Sequence, residues 1–439
     1  MIESPRKKAV KILIEIEKNS AYSNIEMNKL RASNLYSDLD ARFIGELVNG
    51  VIKRKITLDK IIAIHSKVKI NKIAPFVLNV LRIGIYQIIY MNKVPDSAAV
   101  NECVKIIKKS SVSRLSSYVN AVLRAVSIDD LESFSSDSPE DISVRYSFPL
   151  WLANRWINQF GCDFTKSLMD CLNNKPSLFV RRCNHISADE LINKLKAENV
   201  TASKVLLKDF EDFDYGIRID KFANLESIKS FSDADFYIQD PAAALAAYVM
   251  EPKSGETVID MCSAPGGKSL FMAELMNNCG KIYIFDIYEH KIKLINENKH
   301  KYNAYIVEPE LNDATVYNDK YFQIADRILC DVPCSGLGII QKKPDIRYKR
   351  TEKDIQSLSD LSLKILNNAA KYLKPGGTLV FSTCTIDVDE NEKVMKKFLL
   401  QNPDFKLYPY GNNKISYKTF YPNVDGTDGF FICRLQKLV

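Results

Sequence analysis

From about residue 236 onward, short apolar runs alternate with longer amphipathic ones, and this alternation restricts the fold more than any other feature. ETVIDM, KIYIFDI, NAYIVE, RILCDV and GTLVFS read as five strands. AELMNN, HKIKLINENKHK, DIQSLSDLSLKILNNAAKYL and ENEKVMKKFLLQ read as helices separating most of them. Apolar strands joined through helices pack as a parallel sheet covered on both faces. The expected architecture of residues 236–439 is therefore a doubly wound, Rossmann-like α/β domain with strand order 3-2-1-4-5. Two further strands, DFKLYPY and GFFICRLQKL, close the chain.

The remaining residues exceed what one core organises, because the chain has 439. Residues 1–126 show helical periodicity. PFVLNVLRIGIYQIIYM is apolar nearly all round, with Pro75 suited to its first turn, so it reads as a central buried helix. In RLSSYVNAVLRAV, the residues Leu115, Tyr118, Val119, Val122, Leu123 and Val126 fall on one helix face. Residues 127–143, SIDDLESFSSDSPEDIS, are acidic and serine-rich and read as a linker. Residues 144–235 hold an aromatic helix (FPLWLANRWINQF), a strand (SLFVRRCN), a helix capped by Ser187 (SADELINKLKAENV) and a strand around YGIRI. That mixture predicts a small α+β domain, so the fold class is multidomain: all-α, then α+β, then α/β.

Charge is distributed unevenly. Residues 1–126 carry 22 Lys and Arg against 10 Asp and Glu, a net of +12 within a chain whose total is +7. A basic helical first third predicts contact with a polyanion, nucleic acid above all. No window is apolar for long enough to span a membrane, and no cleavable leader is expected, so a cytoplasmic location follows. The ten cysteines are scattered without a CxxC pair. They read as reduced thiols, with no metal site expected, and each is core filler by default.

The first strand runs into DMCSAPGGKS, in which Gly266 and Gly267 open a helix and let a ligand approach backbone N–H groups. The phosphate-cradling pattern GxxxxGK[ST] fails, since Cys262 stands five residues before Gly267. GxGxxG is also absent. Asp286 closes the second strand, where such folds grip a ribose hydroxyl. Asp313, in LNDAT after the third, is placed to accept from an adenine amine. A ribose and an adenine without a phosphate clamp point to S-adenosylmethionine. The fourth strand then delivers CDVPCSGLG, with Asp331 and Cys334, and the fifth ends in FSTCTID with Cys384. In the expected strand order the ends of strands one, four and five adjoin, so both thiols converge with Lys268 on one cleft. Cys330, inside a strand, reads as core. Paired thiols fit methylation of a ring carbon, because a thiolate added to carbon 6 of a pyrimidine makes carbon 5 nucleophilic.

The set DMCSAPGGKS, CDVPCSGLG and FSTCTIDVDENE resembles the NOL1/NOP2/Sun family of RNA cytosine-5 methyltransferases. The first third, LRIGIYQIIYMNKVPDSAAVNECVKIIKK with SYVNAVLR, resembles the NusB-like RNA-binding domain fused to the family's bacterial branch. YSFPLWLANRW and FYIQDPAAAL fit the same branch, so the likeness covers essentially the whole chain. It implies 16S ribosomal RNA, naked or partly assembled, as substrate. It makes Cys384 the nucleophile, with Cys334 removing the carbon 5 proton and releasing the enzyme. Asp331 would contact N3 of the cytosine, and Lys268 would support the site. Cys262, Ser263, Ala264, Pro265, Gly266, Gly267, Lys268, Asp286, Asp313 and Asp331 would line the S-adenosylmethionine site. No obligate protein partner is indicated, and a monomer is expected. Two rival readings stay open: the same chemistry on tRNA or 23S rRNA, or a non-catalytic RNA-binding or antitermination factor. The basic run QKKPDIRYKR (341–350) reads equally as a loop near RNA or as a solvated approach to a helix.

Overall fold

The computed structural model describes residues 3–19, 23–222, 225–263 and 265–439. They form two compact units: Met1–Asn174 together with Lys342–Lys349, and Lys175–Gln341 together with Arg350–Val439.

The first unit is helical throughout its described residues. Its centre is the helix Pro75–Tyr90, with Pro75 in the first turn as the sequence predicts. Twelve of that helix's sixteen residues are buried. Even its polar members are accommodated: Arg82 forms a two-pronged contact with Asp59 (2.6 and 2.8 Å) and reaches Glu17 at 2.7 Å. Burial opposes ionisation of Glu17, but Arg82, Asn79 and Lys55 outweigh it and hold its carboxyl at about 2. Helix Ser116–Ala125 buries Val119, Val122 and Leu123 as its periodicity requires.

Three expectations for this unit need correction. Residues 127–143 are folded: a 3-10 helix at Ile128–Phe134 buries Phe134, and a helix capped by Ser138 begins at Pro139. Serine and aspartate there serve as helix caps, which compositional reasoning mistook for looseness. The aromatic segment likewise forms the helix Leu150–Phe160 in this unit, where Trp156 is fully buried against Phe148 (centroids 5.6 Å apart). The run 342–349 belongs here too, and its residues 344–347 are buried where a solvated approach to a helix was the alternative to a loop near RNA. Arg347 is fully buried and donates to Lys53 O (3.0 Å), Ser147 O (3.1 Å) and Asn173 Oδ1 (2.9 Å), its guanidinium 4.0 Å from the centre of the Phe148 ring. Asp345 accepts from Ser23 N (3.2 Å) and Ser23 Oγ (2.6 Å).

The second unit holds two sheets. Strands β1 (Leu178–Arg182), β2 (Thr201–Lys204), β3 (Gly216–Lys221) and β4 (Phe236–Ile238) form an antiparallel sheet of order β2-β3-β1-β4. β4 thus joins the small sheet, although the sequence reading opened the large domain at 236. Helix Ala188–Ala197 is closed by the expected cap: Ser187 accepts from Glu190 N, and the Glu190 carboxylate accepts from Ser187 N at 2.9 Å. Arg181, fully buried, grips Glu274 through two 3.0 Å bonds and ties this sheet to its larger neighbour.

The large sheet contains β5 (Thr257–Asp260), β6 (Lys281–Asp286), β7 (Val307–Leu311), β8 (Ala325–Asp331), β9 (Leu373–Thr383), β10 (Phe405–Leu407), β11 (Tyr417–Phe420) and β12 (Phe430–Lys437). Its order is β10-β12-β9-β8-β5-β6-β7, with β11 beside β12. The first five strands are parallel in the predicted order 3-2-1-4-5, and β12 runs antiparallel to β9. The third strand starts four residues later than NAYIVE implied, at Val307. β11 carried no clear sequence signal.

Replacing Ser187 by Ala removes the side-chain half of its capping box and keeps the backbone N–H bond to Glu190; it is expected to cost about 1 kcal/mol, whereas Gly should cost a few tenths. Chemical denaturation midpoints of the two variants check this.

Candidate functional site

β5 ends at Asp260, and the chain turns through residues 261–266 into helix Gly267–Leu275. The two glycines are needed for different reasons. Gly266 has a φ of +96°, where a side chain would be strained. A Cβ on Gly267 would lie 2.6 Å from the Tyr237 ring. Asp260 anchors the turn: Ser269 Oγ donates to it at 2.5 Å, Cys262 N at 3.3 Å, and the Ser263 and Ser269 hydroxyls meet at 2.8 Å. Burial pushes the Asp260 carboxyl up to about 6 against those bonds.

At the end of β6, buried Asp286 accepts from Tyr288 N (3.0 Å) and from Lys291 Nζ (3.2 Å). Asp313 is exposed two residues beyond β7, where Thr315 Oγ1 (2.7 Å) and Thr315 N (2.8 Å) hold its carboxyl below the usual range. Lys268 and Lys291, the lysines of this turn and its neighbour, both sit on carboxylates. The acceptor carboxylates therefore fit a nucleoside carrying hydroxyls and an amine, and the engaged lysines do not fit a polyphosphate.

β8 and β9 bring the chemistry-bearing ends together. Asp331 lies level with Ser382 in their parallel register. Ser382 Oγ donates to Asp331 Oδ1 at 2.8 Å, and Lys268 Nζ donates to Oδ2 at 2.6 Å. Burial disfavours the Lys268 charge, but Asp331, Asp260 and Cys384 together hold the ammonium above its usual range. Past the strand ends, Cys334 Sγ and Cys384 Sγ stand 3.1 Å apart. A disulfide needs about 2.05 Å, so these are two thiols in contact. The Cys384 contact and burial push the Cys334 thiol well above its usual range. Cys334 therefore holds its proton more tightly than a free thiol does.

The two loops are stitched to each other. Gly338 N donates to Cys384 O at 3.1 Å. Ser335 Oγ meets Thr385 Oγ1 at 2.9 Å, and Arg350 Nε donates to Ser335 O at 3.0 Å. Buried Glu390 accepts from Ser335 N at 2.7 Å and from Ser335 Oγ at 2.5 Å. Its carboxyl is pushed up to about 7 by burial, opposed by the Ser335 bonds and reinforced by Asp387. Next to it, Asn391 accepts from Thr383 Oγ1 (2.6 Å) and donates to Thr385 O (3.0 Å).

Cys334, Cys384, Asp331 and Lys268 are thus brought together. Cys262, Ser263, Pro265, Gly266, Gly267 and Asp286 surround the first turn, while Ala264 lies outside the described residues. Asp313 is bonded within its own loop, next to Asn312, whose N–H donates to Asp286 O at 3.1 Å. Cys330 is fully buried in the core as expected. Ser335, Ser382, Arg350, Glu390 and Asn391 had no role in the sequence reading. Glu390 and Asn391 were visible in FSTCTIDVDENE, but no spacing rule connects them to a residue on the neighbouring loop.

Three family models match the chain: "NusB family" over residues 3–127, "Methyltr_RsmF/B-like, ferredoxin-like domain" over 148–226 and "16S rRNA methyltransferase RsmB/F" over 247–436. A Bacillus subtilis protein named probable ribosomal RNA small subunit methyltransferase B is 35% identical, over 99% of each chain. Its Klebsiella pneumoniae namesake, ribosomal RNA small subunit methyltransferase B, is 28% identical over 96% of this chain and 95% of that one. Among solved structures, the protein PH0851 aligns over all of this chain and 99% of its own with a TM-score of 0.81 and 26% identity. A methyltransferase homologue from Pyrococcus horikoshii is 28% identical, with a TM-score of 0.59 over 69% of this chain and all of that one.

The Glu390 carboxyl has a consequence for stability. Its value rises from an ordinary 4.5 to about 7 in the fold, so the folded chain holds the proton more tightly. The associated stability is complete below pH 4.5 and declines as pH rises toward 7. The stability difference between wild type and Glu390→Gln should shift against the wild type by about 3 kcal/mol across that window, at about 1.4 kcal/mol per pH unit. Denaturation midpoints of both proteins at a series of pH values measure it; a difference that stays constant with pH would contradict the buried acid.

Proposed function

The chain belongs to the RsmB/F family of S-adenosylmethionine-dependent rRNA methyltransferases, and from that membership we propose that it methylates carbon 5 of a cytosine in 16S ribosomal RNA through a covalent enzyme adduct. The observation that carries this reading is the pair of thiols 3.1 Å apart beside the Lys268–Asp331 ion pair. The substrate assignment is supported by the relatives' names, which speak of the small ribosomal subunit.

Bound S-adenosylmethionine supplies an electrophilic methyl group on a sulfonium that departs as a neutral thioether. The glycine turn at 266–267 would let it approach the backbone closely, Asp286 would give its ribose contact and Asp313 its adenine contact. Cys384 is the nucleophile: once its thiol proton has passed to solvent, the sulfur forms a bond to carbon 6, and the 5,6 double bond's electrons become available at carbon 5. Asp331 would contact N3, and the Lys268 ammonium 2.6 Å from Asp331 offsets the negative charge that flows onto the ring. Carbon 5 then takes the methyl group.

Cys334 finishes the cycle. What raises its thiol first is its contact with Cys384. Once the Cys384 sulfur is bonded to carbon, that contact no longer opposes loss of the Cys334 proton. Having released its own proton to solvent, Cys334 as a thiolate takes the proton from carbon 5, the carbon 6–sulfur bond breaks with its electrons going to sulfur, and the ring regains its aromaticity as Cys384 leaves as a thiolate. The sum is one methyl gained and one proton lost by the cytosine.

Cys384→Ala should abolish methyl transfer from labelled S-adenosylmethionine to naked small-subunit RNA, while cofactor binding measured by calorimetry persists. Normal incorporation by this variant would overturn the proposal. Cys334→Ala should instead leave the protein covalently attached to RNA, seen as a shifted band in denaturing gels. Absence of that band on an RNA the wild type methylates would count against the division of roles.

A further inference from the structure

We propose that Glu390 is the positioning residue for the release half of the reaction, holding the Cys334–Ser335 peptide so that Cys334 stays aligned with the carbon 5 proton after Cys384 has become bonded to RNA. The inference rests on the reading above, in which Cys334 acts last.

The argument is geometric. Before reaction, two forces fix Cys334: its contact with Cys384 and the bonds to its loop. The first disappears once the Cys384 sulfur forms a thioether with carbon 6. Cys334 must then be held by backbone alone, and the loop that carries it contains no regular element before Leu337. Glu390 supplies the missing constraint. One oxygen accepts from Ser335 N (2.7 Å), the amide that follows Cys334 directly, and the other from Ser335 Oγ (2.5 Å). On the other side of the same peptide Arg350 Nη2 approaches Cys334 O at 3.5 Å, and Arg350 Nε bonds Ser335 O at 3.0 Å. The N–H side is thus gripped by an acid and the carbonyl side by a guanidinium.

Glu390 is also fixed relative to the nucleophile. Its neighbour Asn391 bridges Thr383 and Thr385, the residues flanking Cys384. Consecutive side chains therefore clamp the two cysteine loops, Asn391 on the attacking side and Glu390 on the releasing side. Burying a carboxylate with no cation bonded to it is unfavourable for folding alone. A glutamine could serve a purely structural link, but its amide has a single acceptor oxygen and cannot give each Ser335 donor an oxygen of its own.

The test compares wild type, Glu390→Gln, Ser335→Ala and Cys334→Ala at pH 8 on naked small-subunit RNA. Multiple-turnover methylation by Glu390→Gln should fall at least tenfold with the KM for RNA within twofold of wild type. Denaturing gels should show a methylated protein–RNA adduct that accumulates, and calorimetric affinity for S-adenosylhomocysteine should be unchanged. Ser335→Ala, which keeps the N–H contact, should accumulate less adduct and turn over roughly threefold more slowly than wild type. Wild-type turnover without adduct in Glu390→Gln overturns the inference. So does a loss in which adduct formation and cofactor affinity fall together, since that marks a general structural role. If Cys334→Ala traps RNA while Glu390→Gln releases normally, the positioning role falls and the proposed chemistry stands. If Cys334→Ala itself releases normally, the division of roles falls and this inference falls with it.

Discussion

The parallel pairing of β8 with β9 is the constraint on which the site depends. Five consecutive paired positions, from Arg327 to Asp331, set Asp331 level with Ser382, and each strand ends within a few residues of a cysteine. A slip by one residue would turn Ser382 away from Asp331 and exchange the facing of side chains along both strands. The fully buried Leu329, Cys330, Val380 and Phe381 make such a slip costly. The separation of the two thiols is therefore a product of core packing, which no residue near the sulfurs could supply unaided. Gly338 adds to it from the far side: a Cβ there would lie 1.9 Å from Gly429 O, so the loop after Cys334 can press against the segment leading into β12 only as glycine.

Charge in this cleft is arranged around one cation. Asp331, Asp260 and Cys384 all act on Lys268, and each favours its ammonium form. Without it, repulsion from Asp331 would add to the burial that already raises Asp260, and protonation of one of the two acids is the expected outcome. Lys268 comes from the first helical turn after the glycines, so the segment that shapes the cofactor end also delivers the ammonium to the chemistry end. That shared origin couples the two ends through the short stretch 260–268, with Ser269 closing the turn onto Asp260.

How much of this was legible depended on whether a residue's partner was local. Strand order, the glycine turn and the convergence of Lys268, Asp331, Cys334 and Cys384 follow from hydrophobic patterning plus the topology of a doubly wound sheet, so they could be read. Pro75 and Ser187 were legible because capping acts within one turn. Glu390 was not, since its partner Ser335 lies 55 residues away and the distance is bridged only by folding. The stretch 127–143 misled for the opposite reason. Its serines and aspartates have the composition of a linker, yet Ser127 and Ser138 each cap a helix, and Phe134, an apolar residue between them, is buried.

Net charge also needs to be read against structure. The first third carries a formal +12, but part of that charge is used inside the fold. Arg82 is occupied by Asp59 and Glu17, and Lys55 by Glu17. Lys53 donates to Asn174 O at 2.7 Å, and burial with nearby Arg347 and Arg54 lowers its ammonium to about 8. Arg347, from the basic run near residue 345, is held down to about 10 by burial and bonds carbonyl oxygens. A cation enclosed in a core is not placed to bond a phosphate, and it releases no counterion when RNA arrives. The contribution of this unit to RNA affinity therefore scales with its exposed lysines, such as Lys29 and Lys105, less whatever their own acid neighbours retain: Glu26 and Glu102, each at 2.7 Å. Surface pairs of that kind are weak and give way to a polyanion, whereas the Arg82 network does not.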